Sequence, residues 1–201
     1  MKTKKVLFYL LAGILAGCVP SIHSLFTDKD VFFEPQLIGT WADDSEGTWQ
    51  FTQKADPDNL YEVLYTDKNG KKGLFTGTLG KINGMTFLDL YPGDTLIQAH
   101  NFYKAHLVPA HTFLKIEQIR PTLKMRAMNP DKLGKMLADD PNLLKHEVIQ
   151  GDRIVITAPT QQLRQFIRQH ADDEDLFGDP ADLKRIEPNE PNAPDANVMP
   201  A

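Results

Sequence analysis

Turn-forming clusters punctuate residues 36–90 at short intervals, and the apolar runs between them leave room for strands and little else. Leu37-Ile38-Gly39-Thr40-Trp41 opens the series and Asp43 to Gly47 turns it. Thr48-Trp49-Gln50-Phe51-Thr52-Gln53 then alternates apolar with polar side chains, the period of a strand with one buried face. After the turn cluster Asp56-Pro57-Asp58-Asn59 comes Leu60-Tyr61-Glu62-Val63-Leu64-Tyr65-Thr66, rich in aromatic and β-branched residues. Asp67-Lys68-Asn69-Gly70 and Asn83-Gly84 are hairpin signals, because Asn-Gly tolerates positive φ at both central positions. They bracket a strand over Gly73 to Ile82, and Met85 to Leu90 ends a run of five strands, an antiparallel meander.

Beyond Tyr91-Pro92-Gly93-Asp94 the pattern loosens, and 95–106 fits a helix or a loop about equally. Strands resume over His111 to Ile119 and Leu123 to Met128. Asn129-Pro130-Asp131 starts a helix, with Pro at an early position, and Leu133, Met136 and Leu137 supply its apolar stripe. Arg153 to Thr157 reads as a strand. Thr160 is placed to cap a second helix whose Leu163, Phe166, Ile167 and His170 share one face. Asp182 to Ile186 is a last short strand. The expected fold is mainly β (α+β): a meander closing into a barrel, with two short helices in the C-terminal part.

The chain begins with Lys2, Lys4 and Lys5 ahead of an apolar stretch from Val6 to Leu15, which is too short to span a bilayer core of roughly 30 Å comfortably. Leu15-Ala16-Gly17-Cys18 follows, and Cys18 is the single cysteine of the chain. This tetrapeptide resembles the lipobox of bacterial lipoproteins. The resemblance implies that 1–17 is a signal peptide, that the Cys18 thiol receives a diacylglyceryl group, and that its new amine is acylated after cleavage. Each buried methylene contributes about 0.8 kcal/mol, so two or three chains anchor where one does not. Val19 stands where an Asp retains enterobacterial lipoproteins in the inner membrane, so the resemblance favours the outer membrane, facing periplasm or cell surface. Loss of the leader leaves 19 Lys+Arg against 27 Asp+Glu, a net charge of −8. Such a surface repels phosphate backbones, which excludes nucleic acid as an expected partner, and draws nothing from anionic headgroups. Residues 18–35 read as the lipidated Cys and a tether, 36–187 as the folded domain, and 188–201, with its repeated prolines, as a disordered tail.

Gly39-Thr40-Trp41 at the start of the first strand is similar to the G-x-W motif of lipocalins and other calycins. In that family Gly permits a tight entry and Trp closes one end of an eight-stranded barrel with room for a small ligand. The resemblance covers residues 36–187 as architecture, with Gly39 and Trp41 as its motif. Trp49, Phe51, Tyr61, Tyr65, Phe75, Phe87 and Phe113 then either line a cavity or fill a core, two readings that draw on the same residues.

His100, His106 and His111 are spaced by six and five, which does not gather them on one helix face, and no metal is expected. The acidic runs Asp43-Asp44-Glu46 and Asp172-Asp173-Glu174-Asp175 lack the ligand spacing and Gly of a calcium loop. Ser21, Ser24 and Ser45 lie in no G-x-S-x-G or S-x-x-K pattern, and no Gly-rich phosphate loop is present. The expectation is a non-catalytic protein without a cofactor. It either binds a small apolar ligand or lipid inside the barrel, or serves as an accessory lipoprotein docking on an envelope protein.

Overall fold

The computed structural model describes residues 18–93, 100–104, 106–173 and 175–187. The leader with Leu15, Ala16 and Gly17, the C-terminal tail and part of the 95–106 stretch lie outside these residues. Eight strands form a closed barrel: β1 (Gly39–Ala42), β2 (Thr48–Gln53), β3 (Tyr61–Thr66), β4 (Lys72–Ile82), β5 (Met85–Pro92), β6 (Thr112–Gln118), β7 (Thr122–Ala127) and a last strand, β10 (Ala181–Ile186). The first seven pair with their sequence neighbours, and β10 closes the ring by pairing with both β7 and β1. Every one of these pairings is antiparallel. The mainly β barrel read from the sequence is the fold. Positive φ falls on Asn83 and Gly84 in one hairpin and on Gly70 in the other. In that second hairpin the Asp67 carboxylate accepts from the amides of Asn69 and Lys71, so side-chain chemistry completes the turn.

Between β5 and β6 lies one helical turn, α1 (Asn101–Lys104). Between β7 and β10 the chain leaves the barrel for α2 (Pro130–Asp139), a hairpin of β8 (His146–Ile149) and β9 (Arg153–Ile156), and α3 (Thr160–His170). The Asn129 side chain caps α2 by accepting from the amides of Asp131 and Lys132. At α3 the expected cap is not made: Pro159 occupies the cap position, and the Thr160 hydroxyl donates to the carbonyl of Ser24, 2.8 Å away. No described helix is long and apolar enough to cross a membrane.

Period-2 alternation divides the apolar residues into two cores. One fills the barrel: Trp41, Phe51, Tyr61, Val63, Leu79, Leu88, Leu123 and their neighbours. The other lies outside it, between the outer face of β4–β6 and a layer built from α2, α3, the β8–β9 hairpin and the chain from Val19 to Phe26. The segment read as a tether is therefore part of the second core. Val19, Leu25 and Phe26 are buried in it, Ser21 pairs with His111 and Ile156, and Val31 pairs with Gly80. Hydrophobes scattered without period look like linker in sequence, yet Val19, Leu25 and Phe26 find places in this outer core.

Candidate functional site

The barrel interior is the first place to look for a ligand. In register, Trp41 of β1 faces Trp49 of β2, which faces Tyr65 of β3, and Phe51 faces Val63, which faces Phe75. The aromatic side chains pack on one another: Trp49 against Tyr65 at 4.8 Å between centroids, Phe51 edge-on to Tyr61 at 6.4 Å, and Tyr61 stacked on Phe33 at 5.0 Å. Trp41, Phe51, Tyr61, Val63, Leu79, Leu88 and Leu123 show 0% accessible surface. A cavity large enough for a ligand leaves accessible surface on its walls; these seven side chains have none, while Trp49, at 7%, and Ile116, at 6%, keep a little. Tyr65 and Phe75 are half-buried. Phe87 and Phe113 do not join this set. In β5, Leu88 and Leu90 face inward, which turns Phe87 outward into the second core beside Phe177, 5.7 Å away, and Phe113 lies in the same outer core. Both faces of β5 are covered, so its sequence does not reveal which residues point inward.

One end of the barrel is closed around Trp41. Its indole N–H donates to the Leu37 carbonyl at 2.9 Å, and the guanidinium groups of Arg120 and Arg185 lie over its ring at 5.6 and 5.4 Å. Gly39 has φ +132°, and a Cβ there would sit 3.0 Å from the Arg185 guanidinium, so the position admits glycine on both counts. Tyr61 ties the lead-in chain to this end. Its hydroxyl accepts from the Glu34 amide at 2.6 Å and donates to the Glu34 carbonyl at 3.1 Å. Burial pushes the Tyr61 phenol up to about 12.

Outside the closed end lies an open depression of about 640 Å3, lined by Arg120, Pro121, Thr122, Lys184, Arg185 and Glu187. Three cations meet one carboxylate there. The Arg185–Glu187 contact is long, 3.8 Å, and the carboxylate is exposed, so this pair neutralises little. Arg185 Nη1 is buried without a hydrogen-bond partner among the described residues. Sequence reasoning passed over these residues. The available signal was Arg185 two positions after Leu183 on the closing strand, hence on the inward face at its rim.

The opposite end of β6 carries a buried polar node. Asp89 accepts from the Leu25 amide at 2.8 Å through one carboxylate oxygen and meets His111 Nδ1 at 2.8 Å through the other. Ser21 forms backbone hydrogen bonds with His111 in both directions, at 2.9 and 2.8 Å. Cys18 stands three residues before Ser21, and burial pushes its thiol pKa up. Among the described residues no three His, Cys, Asp or Glu side chains gather as metal ligands would.

These features define a closed eight-stranded antiparallel barrel with a packed interior and an outer helical layer. The chain matches no protein-family model, no curated protein and no solved structure.

Proposed function

We propose that the chain is a bacterial lipoprotein carried by lipid on Cys18, and that its barrel is a non-catalytic interaction module docking on an envelope protein. The observation that carries the second half is the filled interior. A small apolar ligand needs free volume between the inward-facing side chains, and those of Trp41, Phe51, Tyr61 and Leu88 leave no accessible surface. A packed barrel is instead a rigid scaffold for its outer surface. The depression beside Arg120, Lys184 and Arg185 is a concave feature open to a partner, and its charge fits an acidic segment. The lipid half rests on Leu15-Ala16-Gly17-Cys18 and the absence of any other cysteine, and Val19 favours the outer membrane.

Native mass spectrometry of the protein released from its own membranes tests the docking half. The expected mass is that of the polypeptide plus acyl groups, with crosslinks from Lys184 to an envelope protein. Arg120→Glu, which leaves the crosslinkable amine of Lys184 in place, is expected to abolish those crosslinks. A small molecule retained in the gas phase would return the reading to an internal ligand. For the anchor, Cys18→Ser is expected to leave the leader uncut and the chain without acyl mass.

A further inference from the structure

The closing strand β10 delivers its end to one place. Its register sets Lys184 against Thr122 of β7, and Arg185 and Ile186 against Trp41 and Thr40 of β1. Glu187 therefore leaves the sheet between the turn at Arg120-Pro121 and the end of the barrel closed by Trp41. It is itself one wall of the cationic depression, with Arg120, Lys184 and Arg185 around it. Arg120 and Arg185 are held there over the Trp41 ring, at 5.6 and 5.4 Å. Among the described residues, neither Arg120 nor Lys184 forms an ion pair, and Arg185 reaches only the exposed Glu187, at 3.8 Å.

The chain as a whole is acidic, with 22 Lys+Arg against 27 Asp+Glu. An acidic segment arriving from solution approaches the depression against that net charge, whereas one already joined to its rim does not. The sequence directly after Glu187, PNEPNAPDANVMPA over residues 188–201, carries Glu190 and Asp195 and no Lys, Arg or His. Glu190 is three residues beyond Glu187, a reach of about 10 Å at most, and Asp195 is eight beyond it, about 28 Å at most. Both carboxylates are thus within span of a depression that Glu187 helps to line. Joined so closely, they act on it at an effective concentration on the order of millimolar, so weak ion pairs suffice to fill it.

We propose that residues 188–201 fold back on the depression as an internal acidic occupant, with Glu190 and Asp195 set against Arg120 and Lys184, and that an acidic partner displaces them to dock. The inference rests on the docking reading of the depression and adds its regulation. While the chain's own segment holds the site, the apparent affinity for a partner is reduced by the fraction of molecules in which the site is open. Internal and external occupants meet the same exposed cations, so salt weakens both together.

The test uses the full chain in detergent and, as probe, a fluorescein-labelled hexaglutamate peptide, its binding read by fluorescence anisotropy at low salt. Glu190→Gln/Asp195→Asn, which removes the charges of residues 188–201 and keeps their length, is expected to bind the probe several-fold more tightly than the unsubstituted chain. Arg120→Glu added to that variant is expected to remove the gain. Carbodiimide coupling of the unsubstituted chain, read by peptide mass spectrometry, is expected to join Lys184 to Glu190 or Asp195 at a yield independent of protein concentration. The Lys124–Asp182 ion pair, at 3.6 Å, is the internal reference for that coupling. Equal affinity of the two chains for the probe overturns the internal occupant and leaves the docking reading standing. So does a reference link formed without any link from Lys184 to 190 or 195. A gain that survives Arg120→Glu also overturns it, because the overall charge of the chain then accounts for the change. If neither chain binds the probe, the depression does not hold acidic segments, and the docking reading falls together with this inference.

Discussion

Asp89 is the one carboxylate buried in the described part of the protein, and its two oxygens hold together two pieces of chain far apart in sequence: Leu25 of the N-terminal segment and His111 before β6. Replacing it with Ala strands the Leu25 amide and the His111 ring nitrogen in a dry layer. An unsatisfied buried group costs about 1–3 kcal/mol, so Asp89→Ala is expected to lower the unfolding free energy by about that much, with a matching fall in the denaturant midpoint. Asp89→Asn, which keeps an acceptor, is expected to cost less, and urea titration of the two variants checks the order. Tyr61 gives a second test at this scale. Its phenol ionises near 10 when unfolded and at about 12 when folded, so the unfolded chain releases the proton first. Stability is therefore fully present below pH 10 and falls as pH rises from 10 towards 12. Tyr61→Phe is expected to flatten that part of the pH profile, measured by denaturant unfolding at fixed pH. At neutral pH the same variant loses about 0.5–1.5 kcal/mol with the two hydrogen bonds to Glu34.

The elements show where sequence patterns carry information. The hairpin strands were legible because each alternates over a marked turn, as in Thr48–Gln53 and Tyr61–Thr66. Both helices were legible from their apolar stripes: Leu133 and Leu137 in α2, Leu163, Phe166 and Ile167 in α3. Strand β8 was not, since its Glu147, Val148 and Ile149 are all exposed and show no alternation. The facing of Phe87 was not legible either, because β5 is covered on both sides and only register decides. Still less accessible was the burial of Leu25 and Phe26, which depends on Asp89, Gly80 and the helical layer, all remote in sequence. Gly80 shows why such packing escapes pattern reading. The Phe26 ring lies so close over it that an added Cβ would sit 2.5 Å from a ring carbon. Gly80→Ala is therefore expected to cost about 1–3 kcal/mol by overpacking. Shortening the ring partner in Gly80→Ala/Phe26→Leu should recover part of that loss, a coupling that a double-mutant cycle by thermal unfolding measures.

At the scale of the molecule, what distinguishes this barrel is that its entry segment is a structural layer. Val19, Leu25 and Phe26 help fill the outer core, Arg164 of α3 forms an ion pair with Asp30, and Phe32 donates a backbone hydrogen bond to Leu79 at 3.0 Å before the chain turns under the closed end. A lipoprotein on a loose tether samples many orientations, whereas one stitched to its body three residues after the anchor samples few. This arrangement predicts a pattern of amide protection. The amides of Ser21, Ile22, Leu25 and Phe32 all donate to acceptors in the barrel or in the β8–β9 hairpin. Their hydrogen exchange is expected to require the same large opening as the strands of the barrel, and to be slowed to a similar degree. A segment behaving as a tether would exchange within the dead time of the measurement, like a frayed terminus, however firmly Cys18 were lipidated. Hydrogen–deuterium exchange read out on peptides covering 19–33 separates the two. Protection there would also mean that Cys18 and the depression beside Arg120 and Lys184 move as one rigid unit, so that under the lipidation we propose, attachment would set the direction in which the depression faces.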